Sequence, residues 1–143
     1  MEDFTNGDFE TGTIVPWGYD YVSSYARPLV VTGTVSSGTY SCITHCDLSL
    51  ESEPYGASAI NQDIDLTDVE NIYFNLYIEE FEESDGDDAS FLIYGQKGGD
   101  MPDIFYQESG TTGGWVSRSA TVPASYQTAN VKVYFLSQVW QGE

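Results

Sequence analysis

Phe4-Thr-Asn-Gly-Asp-Phe-Glu-Thr-Gly12, followed by Thr13-Ile-Val-Pro-Trp17, is the stretch of this sequence that decides the fold. It combines turn formers at Asn6, Gly7 and Gly12 with two phenylalanines and a tryptophan. Turn residues this close together, interleaved with aromatic residues, are typical of short β-strands joined by tight turns and not of a helix. The stretch therefore predicts an all-β domain.

Length and composition agree with that fold class. At 143 residues we expect one domain over residues 1–143, because a chain of this size buries enough surface for one core without disulfides or metals. Aromatic residues make up 15% of the chain, and there are 14 glycines. This composition suits a β-sandwich and disfavours long exposed helices.

The charge of the chain excludes one class of partner. There are 23 acidic residues against 4 basic ones, which gives a formal net charge of -19. A nucleic-acid backbone would be repelled by such a chain, so we expect no nucleic-acid partner. No apolar run approaches the roughly 20 residues that span a bilayer, so we expect no membrane span.

Alternation of apolar and polar residues predicts about eight or nine strands. The clearest case is Ile72-Tyr-Phe-Asn-Leu-Tyr-Ile78, which we interpret as a central strand with its isoleucines, phenylalanine and leucine on the core face. Further strands are predicted at Trp17–Val22, Leu29–Val35, Thr39–Ile43, Ala57–Leu66, Phe91–Tyr94, Ile104–Tyr106, Gly113–Val122 and Val131–Leu136. In the last of these, Val131, Val133 and Phe135 share one face. Strands at this spacing, without an amphipathic helix, predict a β-sandwich or jelly roll.

The two cysteines, Cys42 and Cys46, lie close together in the sequence with His45 between them. Residues four apart in a straight strand are too far apart for a disulfide, so a bridge would require a bend. We expect a local disulfide or two buried thiols. A zinc site is less well supported, because there is no second cluster of ligands.

The segment 79–88 contains seven acids in ten residues. Its simplest interpretation is a solvated loop between two strands. A calcium-attracting loop is the alternative, although the segment lacks the spacing of a helical calcium-binding loop.

Taken in order, the motifs resemble the jelly-roll domains of the galactose-binding-like superfamily, particularly carbohydrate-binding modules and similar domains of microbial extracellular and cell-surface proteins. The resemblance rests on Asn6-Gly-Asp-Phe-Glu-Thr-Gly12, Ser37-Gly-Thr-Tyr-Ser41, Ala57-Ser-Ala-Ile-Asn-Gln-Asp-Ile-Asp-Leu66, the Ile72–Ile78 strand, Gly114-Trp115 and Val131-Lys-Val-Tyr-Phe135. It implies an eight-stranded sandwich that is usually non-catalytic. The start of the chain fits an intracellular protein or one whose export signal has been removed. The resemblance favours the second, with an extracellular or cell-surface location.

The resemblance further implies a structural calcium ion. Its ligands would come from Asp8 and Glu10 and from the backbone around Ser37 and Thr39. Such domains usually end in one more strand, and we expect this chain to lack it after Gln138. A calcium site would then lack one carboxylate, and a sheet edge beside the N-terminal strand would be open to strand addition by another chain.

Sugar-binding modules hold pyranose rings against aromatic faces and orient them with polar side chains. The residues of this kind that we predict for a binding surface are Tyr73, Asn75, Tyr77, Gln62, Tyr94, Tyr106 and Gln107. For any single tyrosine, a structural role in the sheet or at an interface is the alternative. Trp17 and Trp115 are expected in the core.

The sequence offers no catalytic motif, because His45 has no nucleophile motif to serve and acids are too abundant for any pair to be informative. We therefore expect a non-catalytic extracellular carbohydrate-binding module that targets a parent protein or cell surface to glycan. The alternative is a structural or adhesive subunit of a surface layer, filament or virion that assembles through its open sheet edge.

Overall fold

The computed structural model describes residues 4–21, 28–32, 35, 37–44, 55–78 and 88–140. These residues form nine strands and one short 3₁₀ turn, at Ala124–Tyr126. The strands are β1 (Gly18–Tyr21), β2 (Leu29–Val31), β3 (Ser41–Ile43), β4 (Tyr55–Ile64), β5 (Asn71–Leu76), β6 (Asp88–Lys97), β7 (Asp103–Glu108), β8 (Val116–Thr121) and β9 (Val131–Trp140). The predicted all-β class is confirmed. Over these residues there is also no helix of the length and hydropathy that crossing a membrane requires.

One layer of the fold is a five-stranded antiparallel sheet in the order β1-β4-β9-β6-β7. The other layer contains two antiparallel pairs, β2–β3 and β5–β8. The central strand of the large sheet is thus β9, which pairs along its whole length with β4 and β6. Our prediction that Ile72–Ile78 is a central strand is wrong for the described residues, because β5 pairs there with β8 alone.

The main core lies between the two layers. Its buried members come from both: Ile64, Leu66, Ile72, Ile93, Ala120, Val122, Tyr126, Val131 and Val133. The alternation predicted for β9 is confirmed, because Val131 and Val133 are fully buried and Phe135 packs against the same cluster. The alternation predicted for β5 is confirmed as well, with Ile72 and Leu76 buried.

Strand β7 contains a bulge that changes which of its side chains reach the core. Its register against β6 shifts between the pairs Ile93↔Tyr106 and Tyr94↔Ile104, so Phe105 is an extra residue. Phe105 and Tyr106 both pack against the main core. A side chain at Gly95 would approach Phe105 Cζ to 2.3 Å, so the glycine makes room for the inward-pointing ring.

The N-terminal segment, residues 4–17, forms a series of turns held by the side chain of Asn6. The amide nitrogen of Asn6 donates to the carbonyls of Thr13 (2.8 Å) and Val15 (3.0 Å). Its amide oxygen accepts from the backbone N–H of Thr11 at 3.4 Å. Asn6 also has a φ of 53°, a left-handed conformation that asparagine tolerates better than most residues.

These turns place Trp17 against the core. The indole N–H of Trp17 donates to the carbonyl of Asn6 at 3.0 Å. Its ring stacks on Phe4 and Phe9, with centroids 5.2 and 5.8 Å away, and meets the edge of Phe135 at 5.8 Å. The expectation that Trp17 is a core residue is confirmed, since only 6% of it is exposed.

An ion pair between Arg118 on β8 and Glu108 on the edge strand β7 also joins the two layers. Arg118 on β8 donates from Nε to Glu108 Oε1 (2.9 Å) and from its terminal nitrogen to Oε2 (3.3 Å). Tyr106 donates its hydroxyl to the same carboxylate. The hydrogen bond from Arg118 is the main reason why the pKa of Glu108 is lowered.

The large sheet has β1 and β7 at its edges in the part of the chain that is described. Strand β1 is thus the edge strand nearest the N-terminus. That a last strand is missing beside it stays a prediction. The last described strand, β9, lies at the centre of the sheet. Assembly by strand addition at the β1 edge stays a prediction.

Some expectations fall outside the described residues, namely those for His45, Cys46 and the acidic segment 79–87. Cys42 carries a free thiol on β3. Burial raises the pKa of this thiol to about 12, so it is poorly reactive near neutral pH.

We expect Asn6→Ala to lower the free energy of unfolding by about 1–3 kcal/mol, because it removes side-chain hydrogen bonds and strains the left-handed backbone. Asn6→Gly relieves the strain and removes only the hydrogen bonds, so it should be intermediate. Urea denaturation of the three proteins measures this. An Asn6→Gly protein as stable as the wild type would show that the hydrogen bonds contribute nothing.

The ion pair between Arg118 and Glu108 should make the stability of the protein depend on pH. Because the pKa of Glu108 is lowered in the folded state, the pair stabilises the protein above the ordinary carboxyl pKa near 4.5 and loses this effect as the pH falls through the folded value. Arg118→Gln should therefore melt below the wild type at neutral pH, with the difference shrinking in acid. Lys132→Gln, which removes the same charge elsewhere, is the control, and an equal effect of both variants would contradict the prediction.

Candidate functional site

The outer surface of the five-stranded sheet, on the side away from the main core, carries polar and aromatic side chains. We call it the tyrosine face and define it by Asn61, Tyr94, Gln96, Gln107, Tyr134 and Gln138. The residues at its centre lie in one row that runs across neighbouring strands. Tyr134 on β9 lies opposite Asn61 on β4 and Tyr94 on β6, and Tyr94 lies opposite Ile104 on β7.

The two tyrosines at the centre form a cross-strand pair. Their rings are stacked, with centroids 4.7 Å apart and an interplanar angle of 25°. Both residues are half-buried. Because they are positioned by paired neighbouring strands and by each other, their rings offer a preformed aromatic surface.

Amide side chains surround this pair and are themselves oriented by hydrogen bonds. Tyr134 donates its hydroxyl to Gln96 Oε1 at 3.3 Å, and Gln96 Nε2 donates to the carbonyl of Asp100 at 2.9 Å. Gln138 Nε2 donates to Ser90 Oγ at 3.4 Å. At the β1 side, Gly18 leaves room for Asn61, whose Oδ1 would lie 2.7 Å from a side-chain carbon at position 18.

A second apolar cluster lies beside the tyrosine face. Ala57, Ala59, Leu92 and Leu136 are buried there, and Tyr94 packs against them. These residues alternate with the core-facing ones on β4, β6 and β9, which places them on the outer side of the sheet. This buried cluster therefore supports Tyr94 on the outer side of the sheet.

No member of the tyrosine face is charged near neutral pH. Two charged residues beside it, Asp63 and Lys132, are of opposite sign and are register partners. This is an unusual surface for a chain with a net charge of -19. Aromatic rings together with amides and hydroxyls suit an uncharged, hydroxyl-rich ligand.

The seven residues that we predicted for a binding surface do not form one surface. Tyr94 and Gln107 belong to the tyrosine face. Tyr73 and Asn75 lie on the outer side of the other layer, on β5, and Tyr77 follows that strand.

Gln62 and Tyr106 point between the layers and are engaged in structural contacts. Gln62 exchanges two hydrogen bonds with the backbone of Thr5, at 2.8 and 2.9 Å. Tyr106 packs edge-on against Phe74 at 5.3 Å and donates to Glu108. Their positions follow from the alternation along β4 and from the bulge in β7.

Trp115 differs from the expectation of a core tryptophan. It is half-buried and stacks on Tyr77, with centroids 5.7 Å apart, and it is not part of the main apolar cluster. Its indole nitrogen is buried without a hydrogen-bond partner among the described residues. We expected neither this pair nor its position beyond the end of β5.

Sequence reasoning missed Tyr134, Gln96, Asn61 and Gln138. The sequence did contain a signal for Tyr134, because we placed Val131, Val133 and Phe135 on one face of a predicted strand. The residues between them must then point outward. That Tyr134 meets Tyr94 depends on β6 and β9 being neighbours, which alternation alone does not show.

The structure brings Glu10 to the turn that we predicted beside it. Its carboxylate accepts from the backbone N–H of Thr39 (2.9 and 3.1 Å) and of Tyr40 (2.9 Å). Gly38 has a φ of +70°, and a side-chain carbon there would lie 2.5 Å from Glu10 Oε1. Only glycine fits this close approach.

These contacts bear on the predicted calcium site at Asp8, Glu10, Ser37 and Thr39. The turn offers N–H donors to Glu10, whereas calcium requires oxygen ligands. Asp8 Oδ1 accepts from the backbone N–H of Glu10 at 3.2 Å. No cluster of three acidic, histidine or cysteine side chains suited to a metal occurs in the described part of the chain. Calcium binding here stays a prediction.

We expect Glu10→Gln to lower the melting temperature to a similar extent in calcium and in EDTA, because an amide cannot accept N–H bonds on both terminal atoms. Differential scanning calorimetry under both conditions measures this. Asp63→Asn, which removes an exposed acid elsewhere, controls for the change in net charge. A calcium-dependent stabilisation of the wild type that is lost in Glu10→Gln would instead assign the ion to this turn.

Two solved structures share this fold. TmCBM61, solved in complex with β-1,4-galactotriose, superimposes with a TM-score of 0.63 over 97% of this chain and 88% of its own, at 17% identity. CBM27-1 of Caldicellulosiruptor saccharolyticus, solved with mannohexaose, gives a TM-score of 0.56 over 95% and 89% of the two chains, at 13% identity. No protein-family model and no curated protein matches the chain. The likeness shows the jelly-roll fold of carbohydrate-binding modules.

Proposed function

We propose that the protein is a non-catalytic carbohydrate-binding module that binds a neutral glycan on its tyrosine face. The observation that carries the proposal is the stacked Tyr94–Tyr134 pair on neighbouring central strands, surrounded by amide side chains. Each component of this surface has a counterpart in the chemistry of a pyranose ring.

The apolar C–H faces of a sugar ring pack on aromatic side chains, and its hydroxyls exchange hydrogen bonds with amides and hydroxyls. Asn61, Gln96, Gln107 and Gln138 each carry both a donor and an acceptor group. Because the surface lies on paired strands, little side-chain ordering remains to be done on binding. This arrangement favours a glycan over a peptide or an ionic ligand.

Both solved structures of the same fold contain a neutral oligosaccharide, which supports this class of ligand for the present chain. The fold likeness also supports a non-catalytic role. The tyrosine face itself contains no aspartate, glutamate or histidine, the side chains that most often act as acid and base. Carbohydrate-binding modules typically act outside the cell, so an extracellular or cell-surface location is part of the proposal.

We expect Tyr134→Ala and Tyr94→Ala each to weaken oligosaccharide binding at least tenfold, which corresponds to about 1.4 kcal/mol. Each removes half of the stacked pair, and Tyr134→Ala also releases Gln96. Isothermal titration calorimetry with β-1,4-galactotriose and with mannohexaose measures the loss of affinity.

Ile43→Ala is the matched control for this experiment, because Ile43 is exposed on β3, outside the five-stranded sheet. It should bind like the wild type. Melting curves of all variants separate a loss of binding from a loss of folding. Wild-type affinity in folded Tyr134→Ala and Tyr94→Ala proteins would place the glycan elsewhere.

A further inference from the structure

The second layer of the sandwich also has an outward surface, and its composition is unusual. We call it the β5–β8 face and define it by Asn71, Tyr73, Asn75, Ser117, Ser119 and Thr121. These residues alternate along the two strands with the core-facing residues. The face consists of amides, hydroxyls and one tyrosine.

Tyr73 is the prominent residue of this face. It is 69% exposed, and its side chain has no hydrogen-bond partner among the described residues. Its register partner on β8 is Ser119. Next to it, Ser117 donates its hydroxyl to Asn75 Oδ1 at 3.0 Å, which orients the amide.

Like the tyrosine face, the β5–β8 face contains no charged residue, although the chain is strongly acidic. The sequence contains 27 charged residues, 23 acidic and 4 basic, and none belongs to the β5–β8 face. An anionic partner would be repelled by the chain as a whole, and a cationic partner would find no carboxylate here. The face is complementary to an uncharged, hydrogen-bonding ligand.

The size of the β5–β8 face suits a polysaccharide better than a protein as its binding partner. Two strands about 4.8 Å apart, with six residues each at about 3.3 Å, cover roughly 20 Å by 10 Å. This area of about 200 Å² is well below the ~800 Å² that each partner buries in a stable protein complex. The face also has no aliphatic residue to form the apolar centre of such an interface. A single extended sugar chain fits these dimensions.

We propose that the β5–β8 face is a second contact surface for neutral polysaccharide, in the layer opposite to the tyrosine face. This inference rests on the proposed function in one respect, namely that the ligand is a neutral polysaccharide. The two faces belong to different sheets and point away from the core in opposite directions. One module therefore contacts two polysaccharide chains, or two stretches of one chain, and gains avidity on a dense polymer.

The test combines retention on polysaccharide with cross-linking of polysaccharide. Native affinity gels containing β-1,4-galactan or β-mannan measure retention, and light scattering of the same polymers in solution measures cross-linking by a divalent module. The wild type should be retained and should raise the scattering. Tyr73→Ala should be retained several-fold more weakly and should not raise the scattering. Ile43→Ala serves again as the control.

The outcomes separate the two proposals. A Tyr73→Ala protein that is retained and cross-links like the wild type overturns the second surface but not the proposed function. Tyr134→Ala with wild-type retention, together with a loss in Tyr73→Ala, overturns the tyrosine face and supports the β5–β8 face. A wild type that neither polymer retains overturns both. A dimer by light scattering that Tyr73→Ala abolishes would assign the face to a second copy of the chain.

Discussion

The fold depends on the double pairing of β9, whose ten residues are hydrogen-bonded to β4 on one side and to β6 on the other. A strand in this position is fixed in register by two ladders, and a slip of one residue would move every side chain to the other face. Its inward residues, such as Val133, supply the core, and its outward residues, such as Tyr134, supply the candidate site. The same ladder therefore positions both the core and the candidate site.

A second constraint acts at the start of the chain, where backbone turns replace a strand. Asn6 holds these turns through its side chain, and its carbonyl accepts the indole N–H of Trp17. The tryptophan then packs between Phe4, Phe9 and Phe135. A polar side chain thus positions the largest apolar group of the segment, which explains why turn formers and aromatic residues are so closely interleaved there.

Much of the fold could be predicted from the sequence, because alternation is a local property. It identified the core faces of β5 and β9 and the all-β class. It could not show that β9 lies between β4 and β6, since strand order depends on contacts between distant residues. For the same reason, Gln62 and Tyr106 were grouped with Tyr94, although alternation and the bulge turn them inward. The Tyr94–Tyr134 pair required knowledge of which strands are neighbours.

The bulge in β7 has an evolutionary consequence for the outer surface. In a regular strand, the gain or loss of one residue exchanges the two faces beyond that point. Here the extra residue, Phe105, points inward, while Ile104 and Gln107 on either side point outward. A lineage that lost Phe105 would give up its contacts with Tyr126 and Gly95 but would keep the same outward residues. Loss or gain of this one residue would therefore leave the outward side chains of β7 unchanged.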